Sequence, residues 1–182
     1  MLEIRWHGRG GQGAVTSVEL LSLAAIEEGK FAQGFPSFGT ERRGAPVTGF
    51  NRVDDKQIKI RSGIYHPDVV VVLDKSLVAL VDVAEGLKPE GILLVNTTKS
   101  LDELKQDIKF PGRIATVDAT GIAWKELGVP ITNTTMLGAL VKVTGAVKFE
   151  SLTHPINERF GRIAQKNIAA AKAAYDQVTF IN

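Results

Sequence analysis

The stretch LEIRWHGRGGQGAVTSVELLSLAAIEEG, Leu2–Gly29, holds three segments in a fixed order. LEIRW reads as a strand, being apolar and bounded by turn residues. HGRGGQG places Gly8, Gly10, Gly11 and Gly13 in one short turn. AVTSVELLSLAAIEEG then carries apolar residues at helical spacing and stops at Gly29. Strand, glycine turn, helix is a start that commits the chain to an α/β architecture, provided the alternation continues.

It does continue. KFAQGF (Lys30–Phe35) reads as a short strand and PSFGTERRGAP (Pro36–Pro46) as a long polar loop between two prolines. VTGFNRV, DDK and QIKIRS, from Val47 to Ser62, read as a β-hairpin around a turn. DVVVVLD (Asp68–Asp74) and GILLVN (Gly91–Asn96) are apolar runs of the kind buried on both faces of a sheet. SLVALVDVAEG (Ser76–Gly86) reads as a helix capped by Ser76, and SLDELKQDIK (Ser100–Lys109) as another. GRIATVD (Gly112–Asp118) is a further strand and ATGIAWKELG (Ala119–Gly128) a further helix. From Thr132 onward NTTMLGALVKVTG, KFESLTHPI and NERFGRIAQKNIAAAKAAYDQV all read helical. The predicted fold is a single α/β domain over residues 1–182. It is a three-layer α/β/α, Rossmann-like sandwich with a mainly parallel, partly mixed sheet and a helical C-terminus.

Composition bounds the chemistry. The chain has 182 residues, 44% hydrophobic and 23% charged, enough for one sizeable core. A net charge of +2 gives no nucleic-acid or membrane footprint. No apolar run is long enough to span a bilayer, and no secretion signal opens the chain, so a cytoplasmic location is expected. With no cysteine, the chain supplies no disulfide, thiolate zinc site or cysteine-ligated iron–sulfur cluster. His7, His66 and His154 are scattered and match no metal spacing. No nucleophile elbow is present either. Neither a catalytic nor a metal-ligating set is expected within this chain.

Function in such a sheet is expected beyond the carboxyl ends of the strands. His7, Asp74, Asn96 and Asp118 end predicted strands there, either to meet a ligand or to cap the next helix. The candidate binding residues are Gly8, Gly10, Gly11, Gln12 and Gly13. They satisfy G-x-G-x-x-G between a strand and a helix that starts near Gln12–Ala14. Glycines let a ligand lie against bare backbone, and the helix start offers free N–H groups and a positive dipole end. The same glycines would also serve a tight turn that packs helix on strand. A dinucleotide is disfavoured, because FAQGFPSFG lacks the acid that would hold a ribose. Arg42 and Arg43, in FGTERRGAP, form the second candidate pair, with forks suited to phosphate or carboxylate. Glu41 and solvent are the alternative partners for them.

WHGRGGQG, FPSFGTERRGAP, HPDVVVVLD, GILLVNTT and NTTMLGAL, in this order from about Leu2 to Gly145, resemble the gamma subunit of 2-oxoacid:ferredoxin oxidoreductases. The pyruvate (pyruvate synthase) and 2-oxoisovalerate types are the most similar. The resemblance implies a complex that oxidatively decarboxylates a 2-oxoacid, pyruvate being the expected one, to an acyl-CoA and CO2, with ferredoxin as electron acceptor. It implies alpha and beta subunits that hold thiamine diphosphate, and a ferredoxin-like delta subunit or segment that carries iron–sulfur clusters. The chain is then expected to serve assembly, with no catalysis alone. The amides, helix dipole and arginine forks of the glycine turn and Arg42/Arg43 either help hold coenzyme A phosphates or dock on the alpha or beta subunit without binding a small molecule. An isolated chain of this kind is expected to self-associate. The competing expectation is a stand-alone nucleotide- or phosphate-binding Rossmann-like module.

Overall fold

The computed structural model describes residues 1–37 and 43–180. Its centre is one seven-stranded sheet: β1 (Leu2–Arg9), β2 (Phe31–Pro36), β3 (Pro46–Asp54), β4 (Val69–Val72), β5 (Ile92–Asn96), β6 (Arg113–Val117) and β7 (Thr179–Phe180). The spatial order is β2-β3-β1-β4-β5-β6-β7. β1, β4, β5 and β6 run parallel, while β3 is antiparallel to β1 and to β2, and β7 to β6. The helices are α1 (Ala14–Glu27), α2 (Leu101–Asp107), α3 (Ala119–Leu127), α4 (Asn133–Thr144), α5 (Thr153–Phe160) and α6 (Ala164–Gln177). The sandwich and the helical C-terminus are those the sequence predicts.

Two-residue alternation along the strands divides the core. Ile4, Trp6, Val69, Val71, Leu94 and Ala115 face one side, where they meet α1, α3, α4, α5 and α6. Val70, Val72, Leu93, Val95 and Ile114 face the other, where α2 and the turns bearing Leu77, Val83 and Leu87 cover them. The second layer is thin and covers only the parallel half of the sheet.

Close packing on the thick side depends on small residues and on a buried amide. A Cβ on Gly138 of α4 would run into the Ala171 carbonyl of α6. Asn51 of β3 is fully buried. It accepts from Trp6 Nε1 at 2.8 Å and donates to the Val18 carbonyl at 2.9 Å and to Ser22 Oγ at 2.9 Å, tying β1 and β3 to α1.

Four expectations are corrected. The predicted hairpin does not form, and residues 57–62 are not strand. Both edges of β3 are already taken by β1 and β2, so a returning strand has nothing to pair with. The helix expected from Ser76 is a short 3-10 segment, Lys75–Ala79, capped by Asp74 rather than by Ser76. Asp82 Oδ1 then accepts from the Ala84 N–H, a local bond that competes with helix. Gly161 divides the C-terminal helical run, and β7 after it is a strand with no sequence signal. β1 extends through Arg9, so Gly8 lies within the strand rather than in the turn.

Asn51→Leu keeps the volume while leaving the Trp6 N–H without its partner. It is expected to destabilise the chain by about 2–4 kcal/mol, from one orphaned buried donor and two lost bonds. Urea denaturation followed by tryptophan fluorescence checks this.

Candidate functional site

The glycine turn sits where β1 ends, at the junction of both halves of the sheet. Gly11 has φ 93° and Gly13 φ 80°, the left-handed region that glycine enters without strain. At Gly13 the space is also taken: a Cβ would lie 2.5 Å from Asn133 Nδ2, at the start of α4. Ser17 Oγ bonds the Asn133 carbonyl at 3.3 Å, so the starts of α1 and α4 are held together.

Asp74, just past β4, organises the turn. Its Oδ2 accepts from Gln12 Nε2 at 2.8 Å and from Arg9 Nε at 3.2 Å. Its Oδ1 accepts from the Ser76 N–H at 2.9 Å and from the Ser76 hydroxyl at 2.6 Å. Burial works against this carboxylate, yet the hydrogen bonds from Ser76 and Gln12 and the Arg9 charge outweigh it and hold its pKa below the ordinary value. Gln12 Oε1 accepts from the Arg9 N–H at 2.8 Å, so both polar ends of Gln12 are used within the turn. Gln12 therefore sets the turn's shape.

The loop carrying the arginine pair meets this turn directly. Gly10 N–H bonds the Ala45 carbonyl at 2.9 Å, and Gly44 N–H bonds the Gly10 carbonyl at 3.0 Å. Arg9 Nη1 adds a bond to the Gly44 carbonyl at 3.0 Å. The stem of Arg43 lies over Gly11, with its Cγ 3.9 Å from where a Cβ would be. The Arg43 side chain is exposed. Arg42 lies outside the described residues. A cleft of about 230 Å³, lined by Arg9, Gly10, Gly11, Gly13, Ala14 and Val47, opens beside the first residues of α1.

The other strand-end polar residues cap helices. Asn96 donates to the Leu73 carbonyl and accepts from the Thr120 N–H, and Asp118 accepts from the Gly121 N–H. His7 points to the opposite face of β1 from Gly8, away from the glycine turn. Burial, then the nearby Arg5 charge, lower its pKa from 6.5 to about 4. Sequence reasoning missed Arg9 and Asn133. Arg9 hides as the variable position within the glycine motif, and only the folded chain brings Asn133 to Gly13. Among the described residues no cluster of His, Asp or Glu could hold a metal ion. With no cysteine in the chain, an iron–sulfur cluster finds no thiolate ligands here either. No helix is long and apolar enough to cross a membrane among the described residues.

Two outcomes follow from this geometry. Gly13→Ala forces a left-handed alanine against Asn133 and is expected to destabilise the chain by about 2 kcal/mol, measured by urea unfolding. His7 binds its proton more tightly unfolded than folded. Its contribution is therefore fully present above pH 6.5 and is lost as the pH falls towards 4, by up to about 3 kcal/mol. Unfolding the isolated chain across that window should show the slope, and His7→Gln should flatten it.

Comparison with known proteins agrees with this architecture. Residues 3–177 match the family described as pyruvate ferredoxin/flavodoxin oxidoreductase. The pyruvate/ketoisovalerate oxidoreductases common subunit gamma of Thermococcus kodakarensis is 58% identical, over 97% of each chain. Pyruvate synthase subunit PorC of Methanothermobacter thermautotrophicus is 53% identical, over 98% of this chain and 96% of that one. The crystal structure of pyruvate oxidoreductase subunit PORC from Thermotoga maritima superposes with a TM-score of 0.90 at 43% identity, covering 100% of this chain and 98% of that one. The chain belongs to the pyruvate ferredoxin/flavodoxin oxidoreductase family, as a gamma subunit of a 2-oxoacid:ferredoxin oxidoreductase.

Proposed function

We propose that this chain holds the anionic end of coenzyme A at the glycine turn, within a complex whose oxoacid is pyruvate or 2-oxoisovalerate. Thiamine diphosphate then belongs to the alpha and beta subunits, and the iron–sulfur clusters to a ferredoxin-like subunit or segment that passes electrons to ferredoxin. This division of labour fits a chain without cysteine. The chemical steps fall to the other subunits, and this chain contributes binding and position.

One observation carries the reading. The Gly44–Ala45 segment is hydrogen-bonded to Gly10, and this lays Arg43 over Gly11 beside the start of α1. Backbone N–H groups and the dipole at the helix start face one small cleft, and the stem of Arg43 lies against Gly11, which lines it. The Asp74 carboxylate is already bonded to Arg9, Gln12 and Ser76, so it offers little repulsion to a phosphate. Gly10, Gly11 and Gly13 supply the bare surface, and Arg43, with Arg42 beside it in sequence, supplies the forks. Gly8 within β1 and Gln12 within the turn act one step back. They fix the path of the backbone that the ligand meets.

Replacing Arg42 and Arg43 together with alanine is expected to raise the KM for coenzyme A about tenfold in the reconstituted complex. The KM for the oxoacid should stay the same, consistent with loss of one or two charge-assisted contacts. An intact complex with an unchanged coenzyme A KM would sink the reading. Loss of co-purification with an unchanged KM in the surviving complex would assign the pair to subunit docking. The purified chain alone should reduce neither ferredoxin nor a viologen with any 2-oxoacid.

A further inference from the structure

The thin layer leaves a second cleft, on the other face of β1 from the glycine turn. It measures about 590 Å³, and its walls include Arg5, His7, Thr48, Val81, Asp82 and Glu85. Arg5 and His7 stand at alternate positions of β1, on the face opposite Ile4 and Trp6. Among the described residues no helix covers this face of that half of the sheet.

Two polar atoms in this cleft are buried without a hydrogen-bond partner among the described residues: His7 Nε2 and Arg5 Nε. His7 is only 9% exposed. Native chains seldom leave such groups unmet, since each costs about 1–3 kcal/mol. Arg5 spends its Nη2 on the Val83 and Glu85 carbonyls, at 3.1 and 2.5 Å, which fixes its guanidinium on the floor. Asp82 and Glu85 stand exposed at the rim. Among the described residues, the charged groups lining the cleft are two carboxylates and one guanidinium, His7 being neutral at pH 7. A phosphate or other anion would meet that rim unfavourably. The rim calls for a cation, which a peptide with a basic side chain offers.

We propose that this cleft receives a loop of another subunit. The loop lies over Arg5 and His7 on the floor, and a lysine or arginine meets Asp82 and Glu85 at the rim. The inference rests on the chain's standing as one subunit of a complex and is independent of where coenzyme A lies. It also gives an occupant to the part of this face that no helix covers.

The test uses the co-expressed complex. Asp82→Asn with Glu85→Lys reverses the rim charge, while the asparagine keeps an oxygen for the Ala84 N–H that Asp82 now accepts. Affinity for the remaining subunits should fall at least tenfold. The coenzyme A KM of the complex that still forms should not change, and the isolated chain should still fold, with a somewhat lower thermal midpoint because Asp82 and Glu85 also support the Arg5 charge. Should that variant fold poorly, Asp82→Asn with Glu85→Gln is the milder probe, and it should flatten the salt dependence of assembly. Zero-length carbodiimide cross-linking of the wild-type complex should join Asp82 or Glu85 to a lysine of another subunit when the basic residue is lysine. Wild-type affinity in the charge-reversed complex would overturn the proposal. So would unaltered assembly with a raised KM for any small substrate, which would make the cleft a ligand site.

Discussion

The edge of the sheet that carries the glycine turn hangs on one carboxylate. Asp74 follows β4, yet it is bonded to Arg9 at the end of β1, to Gln12 in the turn and to Ser76 in the next segment. Arg9 in turn reaches the Gly44 carbonyl, so the loop before β3 is joined to the same point. Charge-assisted hydrogen bonds in a partly buried setting are stronger than neutral ones, and here they share atoms. The network fixes where the chain leaves the sheet. It also engages the Asp74 carboxylate, so this acid competes little for the amides at the start of α1.

The parts legible in sequence were those where a single local requirement dominates. β4 and β5 are apolar without interruption because both faces are covered, so their pattern needs no tertiary knowledge. The glycine turn is legible because its backbone demands glycine at Gly11 and Gly13. The failures came where neighbours decide. QIKIRS alternates like a strand, but β3 has no free edge to offer it. SLVALVDVAEG has helical spacing, but Asp74 and Asp82 bond nearby backbone and leave only a short 3-10 segment. β7 is two residues long and carries no periodicity at all. Within the site, Gly13 and Asn133 are far apart in sequence, and only the packing of α1 against α4 brings them into contact.

β1 shows the same interplay on a smaller scale. Its Ile4 and Trp6 are fully buried under the helices, while Glu3, Arg5, His7 and Arg9 alternate with them on the other face. A central strand between layers of equal thickness would be apolar on both sides. The polar face of β1 therefore records, residue by residue, where the second helical layer stops. Arg52 of β3 continues the pattern. It is buried, paired with Glu3 at 2.8 Å, and bonded to the Gly63 carbonyl at 3.2 Å, so an irregular segment shields that part of the sheet in place of a helix.

The position of β1 in the sheet also sets an order of events during synthesis. It is made before both of its neighbours, yet it lies between them, with Leu2 opposite Val53 of β3 and Ile4 opposite Val69 of β4. Neither edge of β1 can be satisfied until those later segments exist, and the Trp6 N–H waits for Asn51. Pairing over such sequence separations carries a loop-closure cost that slows folding. The nascent N-terminal segment must therefore remain unpaired, with an apolar face exposed, until β3 and β4 have been synthesised.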